Sequence, residues 1–232
     1  MRRKMNLEVT GKHFGYKFKK ISLLQEALTH RSYLNEAKSV QSHNERLEFL
    51  GDAVLELVVT EYLYSNFDEP EGILTNWRSA LVKGKSLSEI ANKLDMDKFI
   101  LKSRGESKSS GKAKEQISAN ALEALIGAIY IDGGYDKAKA FIHKNVIINL
   151  DKIIKNKLYI DSKSYFQEMM QEQSKSTPEY RVISESGPDH NKLFECAVFV
   201  NNQKYGRGTG PSKSIAEQYA AQNALEKLPN NS

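Results

Sequence analysis

HNERLEFLGDAVLE, residues 43–56, and the few residues after it carry two patterns at helical spacing. Leu47, Leu50, Val54, Leu57 and Val58 recur three and four apart and make one apolar side of a helix. Glu45, Glu48, Asp52 and Glu56 follow at intervals of three, four and four and share the other side. Carboxylates held that close repel one another, which costs stability unless a cation sits among them. The plain reading of such a stripe is a solvated acidic face. Phe49 and Leu55 weigh against it, because they flank the acids with apolar surface. A helix that is apolar nearly all round is packed on most sides, so its carboxylates are expected to line a cleft.

Working outward, the same period runs through ISLLQEAL (21–28), RLEFLGDAVLELVVTEYL (46–63) and ANALEALIGAIYI (119–131), with further helical pieces near 74–94 and 136–149. Residues 1–150 therefore read as almost entirely helical, and Gly133-Gly134 reads as a turn between helices. Within them KSRGESKSSGKAKE (102–115) is polar, rich in Gly and Ser and mostly basic, the composition of a mobile loop. The Lys-rich segment DKIIKNKLYIDSK (151–163) marks a boundary, after which the pattern changes. Helix-compatible SYFQEMMQEQ (164–173) precedes the alternating runs EYRVISES (179–186), LFECAVFVNN (193–202) and QKYGRGTG (203–210), and SIAEQYAAQNALEKL (214–228) closes the chain as a helix. The turn NNQ (201–203) supports a hairpin. The expected architecture is an all-α domain followed by a small α+β module of order α-β-β-β-α.

The chain has 232 residues, 27% charged and 40% hydrophobic, which fits a globular protein better than a disordered one or a membrane bundle. Its longest apolar stretches fall far short of the roughly 20 residues that cross a bilayer. The basic N-terminus MRRKMNLEVT lacks the apolar run of a signal peptide, so the default expectation is a cytoplasmic protein without membrane contact. The single cysteine, Cys196, lies in an alternating strand and reads as a small buried hydrophobe. A net charge of +5 is compatible with a polyanionic partner. Residues 158–232 hold eight basic and nine acidic residues, so the excess belongs to the first part of the chain.

Asn120 and Glu123, three apart, add oxygen donors on a second helix. Oxygens from two facing helices suit a hard ion such as Mg²⁺, which takes carboxylate, amide and water ligands and keeps several waters. Such an ion can activate water and neutralise charge on a phosphodiester. Spacing alone makes this a weak metal pattern.

HNERLEFLGDAVLE resembles the signature of the ribonuclease III family, and ALTHRSY (27–33) and ALEALIGAIYID (121–132) match its other blocks in order. GPDH (187–190) and KSIAEQYAAQNAL (213–225) resemble a double-stranded-RNA-binding domain. The resemblance covers essentially the whole chain. It implies a helical catalytic domain over 1–152, a linker at 153–160 and an RNA-binding domain over 161–230. It further implies a homodimeric, Mg²⁺-dependent endoribonuclease that cuts duplex RNA to 5′-phosphate and 3′-hydroxyl ends, processing ribosomal and other structured precursors.

Residue by residue, the resemblance implies Mg²⁺ held at Glu48, Asn120 and Glu123, with Asp52 completing the quartet. Asp52 and Glu123 would orient or activate the attacking water, and Glu45 would stand beside the cleft and assist. Glu56 reads as an exposed helix carboxylate and His43 as a helix-start or packing residue. The family usually has Asp where this chain has Asn120, so one formal charge is missing and metal affinity is expected to fall. Two readings follow: a nuclease that still works at adequate Mg²⁺, or a catalytically impaired duplex-RNA-binding protein of the same fold. Phe49 would insert into the partner subunit, with ordinary intrachain core as the alternative. In the C-terminal domain Ser164, Gln167, Glu168 and Gln171 would meet one minor groove and His190 the next, with Lys213 and Ser214 on the phosphates between. PSKSIAEQ has fewer lysines than is common there, which implies modest affinity from this domain alone.

Overall fold

Helical spacing over the first 150 residues resolves into α1 (Leu7–His13), α2 (Ile21–Ala27), α3 (Glu45–Asn66), α4 (Glu71–Val82), α5 (Gly84–Lys93), α6 (Lys112–Gly133), α7 (Tyr135–Asn145) and α8 (Leu150–Lys155). The structure is a computed structural model that describes residues 7–37, 42–155, 162–188 and 192–228. It divides into two units, Met1–Tyr159 and Ile160–Ser232. The expected linker, 153–160, falls on the end of α8 and on residues outside those described.

Helix α6 is the centre of the first unit, with Leu122, Leu125, Ile126 and Ile129 fully buried and α2, α3, α5 and α7 packed around it. Its contact with α3 is made by main chain. A Cβ at Gly51 would collide with the Glu123 carbonyl oxygen, and one at Gly127 with the Leu47 carbonyl oxygen. Only glycine lets the two helices approach so closely. The crossing sets Glu48 and Asp52 on α3 against Asn120 and Glu123 on α6. At the far end of α6, Gly134 turns the chain into α7 at φ 82°, a conformation that favours glycine.

Two details depart from the sequence expectation. The period over 74–94 is two helices, broken where Lys83 turns extended at ψ 144°. The polar stretch 102–115 holds a 3-10 turn at Glu106–Lys108, and its last four residues are already α6. Its serines bond locally: the Glu106 N–H donates to Ser103 Oγ (3.2 Å), and the Ser107 and Ser109 hydroxyls donate to the Ser103 and Glu106 carbonyls. Composition does not reveal such side-chain turns.

Asp132, buried near the end of α6, ties down the segment before α2. It accepts from the Lys19 N–H (2.9 Å), the Lys20 N–H (2.8 Å) and the Tyr16 hydroxyl (2.9 Å). Burial works to raise its pKa, but these donors outweigh that and the net shift is downward. Asp132→Ala leaves three donors without an acceptor and should cost about 3 kcal/mol. Urea unfolding measures this, and a loss below about 1 kcal/mol would contradict the anchoring role. Because the pKa is depressed, the contribution is present above the ordinary aspartate value and lost as pH falls through the folded one.

The second unit is α9 (Ser162–Ser174), β1 (Glu179–Ser186), β2 (Leu193–Val200), β3 (Gln203–Gly210) and α10 (Lys213–Lys227), with antiparallel strands in the order β1-β2-β3. Asn201 and Asn202 sit at φ 50° and 62° and close the β2–β3 hairpin, as a two-residue turn with both φ positive requires. Gly206, Gly208 and Gly210 alternate along β3, and a Cβ on any of them would strike the α10 backbone or Ile215. The helix therefore lies flush on the strand through Ala216, Ala220 and Ala224, over a core of Phe166, Met170, Val198 and Val200. Cys196 is free and buried as expected, and burial raises its thiol pKa, which makes it a poor nucleophile.

Candidate active site

The ALTHRSY block holds the entries of both site helices. The Asn44 N–H donates to the Thr29 carbonyl (2.9 Å), and the Asn44 carbonyl receives the Glu48 N–H (2.8 Å) as α3 begins. The Leu101 N–H bonds the Leu28 carbonyl (2.7 Å) and the His30 N–H the Leu101 carbonyl (2.8 Å). Ser32 Oγ accepts from the Ser103 N–H (3.0 Å). The start of α3 and the segment leading to α6 are thus fixed to one short stretch.

At the crossing, Glu48 and Glu123 are half-buried and Asp52 is exposed. Burial pushes the Glu123 carboxyl up to about 7, and the charges of Asp52 and Glu48 add to it. Glu48 is also raised, by burial first and by Glu45 and Asp52, while a hydrogen bond with Asn120 pulls the other way. Asn120 Oδ1 in turn accepts from Gln116 Nε2 at 2.6 Å. Among the described residues Glu48, Asp52 and Glu123 have no ion-pair partner.

Among the described residues no three His, Cys, Asp or Glu side chains close into a ready metal-ligand group. The donor set nevertheless fits a divalent ion. Glu48 and Glu123 are raised by burial and by the acids around them, and with no cation paired to them they are relieved by one. An ion held this way keeps much of its shell as water, as Mg²⁺ does.

Glu45 stands in the first turn of α3, exposed, 3.6 Å from Arg31 and 3.8 Å from His43. Glu56 differs from its reading as a solvated carboxylate. It is half-buried and paired with Arg78 at 3.1 Å, an arginine that arrives on α4. Gln116 was missed, although its i,i+4 spacing to Asn120 is visible in the sequence.

Phe49 is 82% exposed and Tyr64 80%. With Ala53 and Leu57, also exposed, they mark one side of α3 at positions 49, 53, 57 and 64. Phe49 is not part of the intrachain core.

In the second unit Ser164, Gln167, Glu168 and Gln171 are all exposed on one face of α9, at i, i+3, i+4 and i+7. Lys213 and Ser214 are exposed in the first turn of α10, which Ser212 caps by accepting from the Ile215 N–H (3.3 Å). Lys213 Nζ is engaged by Glu185 at 3.2 Å. Lys163 likewise pairs with Glu217 (2.7 Å) and Arg181 with Glu179 (2.6 Å), so much of this unit's positive charge is matched internally. His190 lies outside the described residues.

A helical unit with acids clustered at a helix crossing, joined to an α-β-β-β-α module, defines a two-part architecture that the comparisons with known proteins identify. The family model described as Ribonuclease-III-like matches residues 20–150, and the double-stranded RNA binding motif matches residues 162–228. The chain belongs to the ribonuclease III family. It is similar to Ribonuclease 3 of Bdellovibrio bacteriovorus, 42% identical over 214 residues, covering 91% of this chain and 92% of the relative. Ribonuclease 3 of Natranaerobius thermophilus is 45% identical over 210 residues, covering 89% and 90%. A solved structure of the nuclease domain of ribonuclease III from Campylobacter jejuni, which concerns a region involved in dimer formation, is 48% identical with a TM-score of 0.54. It covers 60% of this chain and 98% of that one. Among the described residues no helix is long and apolar enough to cross a membrane.

Proposed function

We propose that this chain is a homodimeric endoribonuclease that cleaves double-stranded RNA in the cytoplasm, on ribosomal and other structured precursors, with Mg²⁺ as cofactor. The observation that carries this reading is the set of three carboxylates without a counter-cation at the α3–α6 crossing, in a chain of this family. Glu48 and Glu123, with Asn120 beside them, are the groups that would hold Mg²⁺; bound there it would neutralise phosphodiester charge and acidify a water. Asp52, exposed, faces incoming substrate and orients the attacking water. Glu123, raised to about 7 by burial and by its acidic neighbours, would be returned to its charged form by an ion bound there, and with Asp52 it helps to orient or activate the attacking water. Glu45, at the entry of α3, assists substrate contacts from the edge.

The exposed faces supply the rest. Ser164, Gln167, Glu168 and Gln171 present short polar groups to a minor groove, while Lys213 and Ser214 at the α10 start meet phosphate, with His190 on the next groove. Lys213 must exchange Glu185 for phosphate, which supports modest affinity from this domain alone. Phe49 is the anchor between subunits, since an aromatic that large is rarely left in water on a monomer. Phe49→Ala should shift the protein toward monomer by about 2 kcal/mol or more of association energy. Sedimentation of dilute samples checks this, and an unchanged dimer would exclude the anchor.

The test of activity is cleavage of a long RNA duplex across a Mg²⁺ titration, compared with Asn120→Asp. Products with 5′-phosphates are expected from both proteins, at lower Mg²⁺ for the variant. If well-folded protein binds the duplex but yields no product at any Mg²⁺ concentration, the chain is an RNA-binding member of the family and the enzyme reading fails.

A further inference from the structure

The end of α6 away from the acids borders a cavity of about 450 Å³. Gly133, on its rim, stands about 15 Å along the helix from Glu123, so the two places are separate. One wall is the segment between α1 and α2, where Gly15 turns at φ 79° and Lys17 and Lys19 stand on either side of buried Phe18. The other is α7, whose Lys137, Phe141 and Lys144 follow at intervals of four and three on one face. The walls come close together: a Cβ at Gly15 would lie 3.6 Å from Lys144 Nζ. Phe14, Ala140 and Phe141 supply an apolar floor.

Among the described residues the lining holds four lysines and no acid, and none of the four ammonium groups has an ion-pair or hydrogen-bond partner. The acid next to them, Asp132, is already engaged by the Lys19 and Lys20 N–H groups and the Tyr16 hydroxyl, and of the four lysines it is Lys19 whose charge acts on it. Four like charges around a concave surface attract an anion that carries several charges. Lysine meets phosphate as a point charge. The volume is that of a small-molecule site rather than of a single inorganic ion, and the apolar floor offers a surface to a flat ring. We propose that this cavity binds a nucleoside polyphosphate, with the phosphate chain among Lys17, Lys19, Lys137 and Lys144 and the base on the floor. A ligand held there joins the α1–α2 segment to α7 and stabilises the folded chain by mass action.

The test is calorimetry on the full-length protein at fixed ionic strength in EDTA, with ATP and inorganic tripolyphosphate as probes. Without Mg²⁺ neither probe is bridged to the acidic site through an ion. ATP should saturate one site per chain and bind about 3-fold or more tighter than tripolyphosphate, because only ATP covers apolar surface. Lys137→Gln/Lys144→Gln on one wall and Lys17→Gln/Lys19→Gln on the other should each weaken ATP binding by about 10-fold or more. Lys108→Gln/Lys112→Gln removes the same charge from the segment before α6 and should change it by less than about 2-fold. All six lysines are exposed, and circular dichroism confirms that the variants fold. No saturable binding, equal affinity for the two probes, a loss from one wall only, or equal losses from all three variants would each overturn the proposal. Duplex-RNA binding is measured on the same proteins and should stay within about 2-fold of wild type for both wall variants. A fall in duplex affinity as large as that for ATP would assign these lysines to RNA and overturn the proposal as well.

Discussion

Glu123→Gln is expected to lower duplex-RNA cleavage by about 10³-fold or more and, in the absence of metal, to make the protein more stable at pH 8 than the wild type. The first effect follows from removing an anionic oxygen from the centre of the site. The second follows from the raised pKa. Glu123 reaches about 7 in the folded protein, through burial and then the charges of Asp52 and Glu48, against an ordinary value near 4.3 in the unfolded chain. For a carboxyl shifted upward, stability is fully present below the unfolded pKa and is lost as pH rises through the folded one. At pH 8 the folded protein therefore carries a strained charge that glutamine does not. The gain should be about 1–2 kcal/mol after allowing for solvent screening at a half-exposed site. Thermal melts in EDTA at pH 5 and pH 8 test it. A variant no more stable than wild type at pH 8, or one that still cuts at the wild-type rate, would show that Glu123 is not the strained acid described.

Gly127→Val should have the largest structural effect of any single change proposed for this chain. A Cβ at 127 meets the Leu47 carbonyl oxygen, which is main chain of α3 and has no rotamer by which to move aside. The two helices must separate, and the surrounding core of Leu122, Leu125 and Ile126 opens with them. The expected loss is about 4 kcal/mol or more, enough to unfold much of the nuclease unit at room temperature. Ala113→Val, at an exposed position near the start of α6, should cost less than about 1 kcal/mol and controls for the β-branch itself. Near-wild-type urea midpoints for Gly127→Val would mean that the helices are not pressed together at this glycine.

Helix α3 was legible because everything needed to read it is local: the apolar positions and the acids both follow one period through Glu45, Glu48 and Asp52. The β2–β3 hairpin was legible for a similar reason, since Asn201-Asn202 is chemistry that a tight turn demands. What the sequence hid were partners from distant parts of the chain. Glu56 looks solvated until α4 brings Arg78 to it. Asp132 carries no signal of its own in the sequence, since its three donors come from the segment before α2. That Glu48 and Glu123 belong to one site came from family resemblance, because no local pattern states which two helices cross, and the close approach of Gly51 to the Glu123 carbonyl carries no sequence signal. Gln116 shows a different failure. Its spacing was visible, but an exposed glutamine carries no expectation until the residue it touches is known to be an asparagine in an acidic site. The charge balance was legible only as a sum, since the pairing of Lys213, Lys163 and Arg181 with nearby acids depends on the folded sheet.

The glycine contact between α3 and α6 also bears on how the site responds to heat and to sequence drift. Layers of side chains between helices breathe as temperature rises and refill when a core residue is exchanged. At Gly51 and Gly127 there is no such layer, so the separation of the opposed acids is set by two backbones in contact. Substitutions elsewhere in the core can raise or lower stability while leaving that spacing as it is, and warming should leave the acids in register until the unit unfolds.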